Sequence, residues 1–222
     1  MRNFQKFFGH LHTVNKHRRY VRKYCFMAHL YWQGLTHDLS KYSPIEFWES
    51  VKYYQGNRSP IDACKEENGF SNAWQHHKGR NSHHREAYTD NYDKGTTCVP
   101  MPYKYAAEML CDYLGAGKAY HGAAFSYGDE LRWWEEQLSK NICIHPMTAK
   151  FITLVLTDLA DIGWANKNDK KILKNLPLYY EKAYEWYWYN MRGKGPAVYF
   201  GHSLSFRDQL KEKYYSELKA QK

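Results

Sequence analysis

The stretch GLTHDLSKYSPIEFWES, residues 34–50, decides how the chain is read. It packs a helix stop, a polar turn and a helix start into one short connection. Gly34 ends the segment before it, since glycine accepts the backbone angles of a helix terminus. Ser43-Pro44-Ile45-Glu46 then reads as a beginning. Ser43 caps, Pro44 takes the first helical position and Glu46 reaches back to close a capping box. Between stop and start stand His37, Asp38 and Lys41. Neighbouring side chains on a helix diverge by about 100°, but a kink lets an adjacent imidazole and carboxylate reach one ion. The pair therefore raises the question of a metal.

Working outward, helix signals dominate. From Asn3 to Leu35 there is neither proline nor a turn cluster, and Val14, Val21, Cys25 and Ala28 recur at helical spacing, with His10 and His17 on the same face. Ser59-Pro60-Ile61-Asp62 repeats the start device, and Asn68-Gly69 closes that helix. Further helices are expected at 71–78, from Tyr103 through a stretch loosened by Gly115 and Gly117, at 128–140, at 147–165 and at 205–220, the last capped by Ser205 with Asp208. No strand alternation is convincing, although GPAVYFG (195–201) is a candidate for brief pairing. The fold class is all-α. A soft boundary falls near 166, dividing a helical domain (1–166) from a basic, aromatic C-terminal helical extension (167–222) packed on it.

Composition sets limits. At 222 residues, 43% hydrophobic and 18% aromatic, the chain is too apolar for disorder and long enough for a real core. The most apolar run, FITLVLTDLADIGWA, is interrupted by Asp158 and Asp161, so no membrane span is expected. The N-terminus lacks the apolar core of a signal peptide. Five cysteines (25, 64, 98, 111 and 143), without a C-x-x-C pair, read as ordinary half-buried thiols in a reducing cytoplasm. Charge is uneven. Residues 1–36 hold seven Lys/Arg and no acid, 165–222 hold twelve against six, and the middle holds 13 against 17. A basic rim around an acidic, His-rich centre suits an anionic substrate, although a charged face is ordinarily just solvated.

The candidate ligands each have an ordinary alternative. A histidine on an apolar helix face, such as His17, commonly sits in a core. Glu108 and Asp112, at i and i+4 in YAAEMLCDYL, share one side of an otherwise apolar helix, where like charges repel and a cation would reconcile them. His76, His77, His83 and His84 flank a KGRN break, with Glu86 following. Such a tract is either a site or an adventitious metal binder. Mixed imidazole and carboxylate, without thiolate, suits a divalent transition metal: Mn or Fe before Ni, Co or Zn.

Read in order, His17, His37-Asp38, His77, His83-His84 and Asp112 resemble the HD superfamily of metal-dependent phosphohydrolases. HDLSK (37–41) is similar to the HD-x-G-K string of the HD-GYP phosphodiesterases, with Ser40 in place of glycine, and HHRE (83–86) resembles their H-H-E portion. The glycine-tyrosine-proline signature is absent, AYTDNYDKG following instead, which removes the basis for cyclic-dinucleotide specificity. HRRYV, QGLTHDLSKYSPIEF, SPIDACKEENGFSNAWQHHKGRNSHH and MPYKYAAEMLCD also resemble the shared strings of an uncharacterised bacterial and phage family, over roughly residues 12–120.

The HD resemblance implies an HD-like helical bundle and two ions. His17, His37, Asp38 and Asp112 would hold the first. Asp38 as a bridge, with His77, His83 and His84, would hold the second, and Glu108 would serve as ligand or orienter. It also implies phosphomonoester or phosphodiester hydrolysis, a nucleotide included, by a water activated between ions ~3.5–4 Å apart. Lys41 and Arg80 are candidate phosphate clamps, and Asn81 would orient water or cap a turn. Two alternatives stay open: a di-iron oxygenase on the same ligands, and a non-catalytic nucleic-acid-binding or regulatory protein with a structural metal. Basic and aromatic residues interleave in RNFQKFFGHLHTVNKHRRYVRKY, as they do in nucleic-acid surfaces. The aromatic tail YYEKAYEWYWYNM reads as a packing helix or a homodimer contact.

Overall fold

A computed structural model describes residues 2–93, 95–163 and 168–191. The fold is all-α. In chain order the helices are α1 (Asn3–Met27), α2 (Tyr31–Thr36), α3 (Pro44–Tyr53), α4 (Pro60–Asn68), α5 (Asn72–Arg80), α6 (Tyr103–His121), α7 (Tyr127–Ser139), α8 (Pro146–Asp158), α9 (Asp169–Lys174) and α10 (Leu176–Met191). A wider π-helical turn, Leu159–Gly163, prolongs α8. No described helix is long and apolar enough to cross a membrane.

The long N-terminal helix expected over 3–35 is broken after Met27. His29 takes a left-handed conformation (φ 60°) and the amides of His29 and Leu30 bond back to the carbonyls of Phe26 and Cys25. That is a Schellman ending with histidine where glycine is usual, so no Gly or Pro marks it. Burial of Leu30 beside buried Cys25 holds the reversal, and α2 folds back along α1. Gly34 makes the return possible, since a Cβ there would lie 2.9 Å from Cys25 Cβ.

The core is built on α1 crossing α6. Val14, Val21, Tyr24 and Cys25 of α1 are buried, as are Ala106, Ala107, Met109, Leu110, Cys111 and Leu114 of α6. The helix expected to be loosened at Gly115 and Gly117 runs unbroken to His121. Gly115 serves contact instead: a Cβ would meet Val21 Cγ2 at 2.4 Å and the Val21 amide nitrogen at 2.8 Å. Phe151, Ile152, Val155 and Leu156 of α8 and the fully buried Trp134 of α7 fill the far side, with Trp134 Nε1 donating to Thr153 Oγ1 at 2.9 Å. Ile172, Leu173, Leu176 and Ala183 of α9 and α10 belong to this same core, and Tyr180 donates to the Met101 carbonyl at 2.7 Å. The helix expected at 205–220 and the GPAVYFG segment lie outside the described residues.

Three local expectations are corrected. Thr89–Tyr92 (β1) and Gly95–Cys98 (β2) pair antiparallel as a small hairpin; four residues per strand are too few to show alternation. Ser43 and Pro44 do open α3, but no capping box forms: Ser43 makes no side-chain cap bond and Glu46 turns to histidines of α5. Cys98 and Cys143 are disulfide-bonded, whereas Cys25, Cys64 and Cys111 are free and buried. The fold brings the hairpin base to the α7–α8 connection over 45 residues of sequence, a juxtaposition no cysteine spacing announces.

Candidate metal centre

Five segments converge. α1 contributes His17, the α2–α3 connection His37, Asp38 and Lys41, α5 His77, the turn after it His83 and His84, and α6 Glu108 and Asp112. Asp38 is the hinge. It adopts a left-handed backbone (φ 54°), rare outside glycine, asparagine and aspartate, which turns its carboxylate inward beside His37. Arg18 clamps the connection, its Nε donating to the His37 carbonyl at 2.7 Å and Nη2 to the Leu35 carbonyl at 3.1 Å.

The two oxygens of Asp38 face different partners. Oδ2 lies 3.3 Å from His17 Nε2, 3.2 Å from His37 Nε2 and 2.6 Å from Lys41 Nζ. Oδ1 lies 3.3 Å from His77 Nε2 and 3.4 Å from His83 Nε2. Asp112 Oδ1 completes the first side, 3.1 Å from His17 Nε2 and 3.4 Å from His37 Nε2. Two overlapping groups result, His17/His37/Asp38/Asp112 and Asp38/His77/His83/His84, each with ligand atoms within 4.8 Å of one another. Every residue expected as a ligand is thus gathered into one cluster, and the groups share Asp38.

Glu108 stands behind the histidines. Its Oε1 lies 3.0 Å from His37 Nδ1 and 3.2 Å from His83 Nδ1, which leaves both Nε2 atoms facing Asp38. It is also grouped with His37 and His83 as a possible third set, but the geometry at Nδ1 is that of an orienting carboxylate. Sequence reasoning missed the matching residue. Glu46, 3% exposed, bonds His77 Nδ1 at 2.8 Å and His76 Nδ1 at 2.6 Å, turning His77 Nε2 toward Asp38. An acidic residue at the third position of a capped helix gave only the capping signal. Asn81 donates to Ser40 Oγ and to the His77 carbonyl, both at 2.8 Å, tying the end of α5 to the His-Asp turn. Arg80 is exposed at the end of α5 and, among the described residues, makes no hydrogen bond or ion pair with the cluster.

The electrostatics are those of a cation site. Burial opposes ionisation of Asp38 and Asp112, yet His37 with Lys41, and His17 with His37, hold their carboxyls well below the usual range. Burial likewise works against charge on His37, and Asp38, Asp112 and Glu108 outweigh it, raising that imidazole well above its ordinary value. The cluster draws positive charge to itself. His84 goes the other way: burial, then the neighbouring His83, keep it neutral, the form that ligates. Buried Asp38 Oδ1, His83 Nε2 and His84 Nε2 have no hydrogen-bond partner among the described residues. Orphaned buried polar atoms are costly, and these three belong to one ligand group. The donor set is nitrogen and oxygen alone, because Cys111 beside Asp112 is buried in the core, so harder divalent metals fit it.

Residues 6–158 match the model of a family described as a family of unknown function (DUF5662). The chain belongs to that family. The DUF5662 match takes in every cluster residue from His17 to Asp112, with Glu46, and ends with α8. No curated protein and no solved structure matches the chain.

Proposed function

We propose that this DUF5662 chain is an HD-like phosphohydrolase, cleaving a phosphoester at a dinuclear centre bridged by Asp38. The observation that carries the reading is the division of Asp38, Oδ2 toward one ligand group and Oδ1 toward the other, with unpartnered His83 and His84 nitrogens on the Oδ1 side. Bound by these groups, a pair of Mn or Fe ions would supply a water of lowered pKa and neutralise charge gathering on phosphoryl oxygens. The chain's own residues would do the rest. Lys41, its ammonium stabilised by Asp38 and Asp112 and about a quarter exposed (27%), is the group to hold a non-bridging phosphoryl oxygen at the edge of the cluster. Glu108 and Glu46 would keep His37, His83 and His77 in the ligating orientation. The substrate is proposed to be anionic.

Elemental analysis of natively purified protein, followed by a phosphoester panel with the metal found, tests this. Two ions per chain with phosphate release are expected. One ion or none removes the dinuclear mechanism. Two irons with O2 consumption and no phosphate release would replace hydrolase by oxygenase.

A further inference from the structure

We propose that the outer face of α1, continued onto α2, is a docking track for single-stranded nucleic acid. As a binding surface it goes beyond the phosphohydrolase reading and stands on the observations below.

The cations of α1 are neither scattered nor balanced. Arg19 follows Lys16 by three residues, and Arg22 and Lys23 follow Arg19 by three and four, which keeps all four on one side of the helix; α1 and α2 contain no acid. Arg19, Arg22 and Lys23 are exposed and Lys16 is half-buried. None of the four takes part in an ion pair among the described residues. The acids of the helices packed on α1 are engaged elsewhere. Glu46 holds His76 and His77, and Glu49 accepts from Ser71 and from the first amides of α5. Glu108 and Asp112 serve the cluster, and Asp169 accepts from Tyr127. The stripe is left as net positive charge facing water.

At its far end the stripe meets exposed aromatic rings. Phe26 (40% exposed) lies one turn beyond Arg22 and packs edge-on against Tyr31 (52%) at 5.3 Å, followed by Trp32 (72%). Exposed rings beside a line of cations are what a single strand uses, with phosphates tracking the cations and bases stacking on the rings. From Lys16 to Lys23 the helix rises about 10 Å, longer than a single phosphate needs and suited to a repeating polyanion. An anionic membrane fits less well, because the apolar face of α1 (Val14, Val21, Cys25) is spent in the core and cannot insert.

Fluorescence anisotropy of the metal-loaded full chain with labelled single-stranded DNA and RNA, across a salt series, tests the track. Wild type is expected to bind with a steep salt dependence. Lys16→Gln/Arg19→Gln/Arg22→Gln/Lys23→Gln should flatten the log–log salt slope by about 3, at ~0.7 per phosphate contact. Trp32→Ala should weaken binding roughly tenfold with the slope unchanged, as loss of one stacked base would. Both variants replace surface residues, so circular dichroism and metal content should match wild type. If the quadruple variant misfolds, Trp32→Ala alone decides. The proposal is overturned if wild type fails to bind oligonucleotide at low salt, if Trp32→Ala binds as wild type, or if a folded quadruple variant keeps the full slope. Preference for phosphatidylserine vesicles over oligonucleotide would also overturn it. A chain that binds oligonucleotide through these residues and releases no phosphate would instead sink the hydrolase reading and leave the track standing.

Discussion

The two sides of Asp38 are built differently. On the Oδ2 side, two carboxylates face two imidazoles and Lys41, so every charge has an opposite within 3.4 Å. On the Oδ1 side, three imidazoles gather around Asp38 Oδ1, with Asp112 Oδ2 more distant at 3.9 Å from His83 Nε2, and Asp38 Oδ1, His83 Nε2 and His84 Nε2 are buried without hydrogen bonds. The first side is internally compensated, whereas the second is complete only with something that accepts lone pairs from nitrogen and oxygen together. The Oδ1 side is also the more buried, since His77 and His83 are buried whereas His17, Asp112 and Lys41 are partly exposed, and it is there that polar atoms lack partners.

The largest test of that contrast is Asp38→Ala. It deletes the one residue common to both groups and should take metal content and turnover to background by elemental analysis and phosphate release; a fully loaded variant would refute the shared carboxylate. Next come single-side deletions. His84→Ala and His17→Ala should each lower the metal count from two to one per chain, and a variant losing both ions would show the sides to be cooperative rather than separable. Glu46→Gln and Glu108→Gln leave the ligands in place and weaken only their orientation. A loss of ~10–100-fold in metal affinity is expected for each, measured by competition with a chelator. Glu108→Gln should affect both ions because it holds His37 and His83, and Glu46→Gln only the ion held through His77.

The last test leaves metal and turnover alone and extends the comparison beyond the cluster. Asp112 on α6 and Glu130 on α7 are both shielded acids, but only Asp112 faces imidazoles. Burial, then the negative charges of Asp112 and Asp129, push the Glu130 carboxyl up to about 8 from 4.5. The folded protein therefore keeps a proton there that the unfolded chain has lost. Stability from this group is full below the unfolded value and falls as pH rises toward 8, by up to about 1.4 kcal/mol per pH unit. Thermal melts of Glu130→Gln should lose that slope, and a profile parallel to wild type would show that Glu130 is not the source.

Much of the site was legible beforehand because its residues are chemically conspicuous. His37-Asp38 in a turn, His77 and His83-His84 around a helix break, and Glu108 with Asp112 one turn apart all carry their meaning in local spacing. Glu46 was misread for a local reason: its position predicts a capping box, and tertiary contact with α5 wins because two imidazoles bind a buried carboxylate better than one backbone amide. The break at His29 escaped because its Schellman ending uses a residue without that signature, and the disulfide because chain separation carries no distance.

By itself the sequence determined the helical class, the apolar face of α1 and the roster of candidate ligands, since periodicity and residue chemistry are local properties. Only the tertiary structure decided that Asp38 stands between two groups, that Glu46 and Glu108 work from behind the histidines, and that Arg18 anchors the turn. Those facts depend on α1, α5 and α6 meeting in space. Gly115 makes the α1–α6 approach close enough, and the buried apolar faces of these helices hold it there.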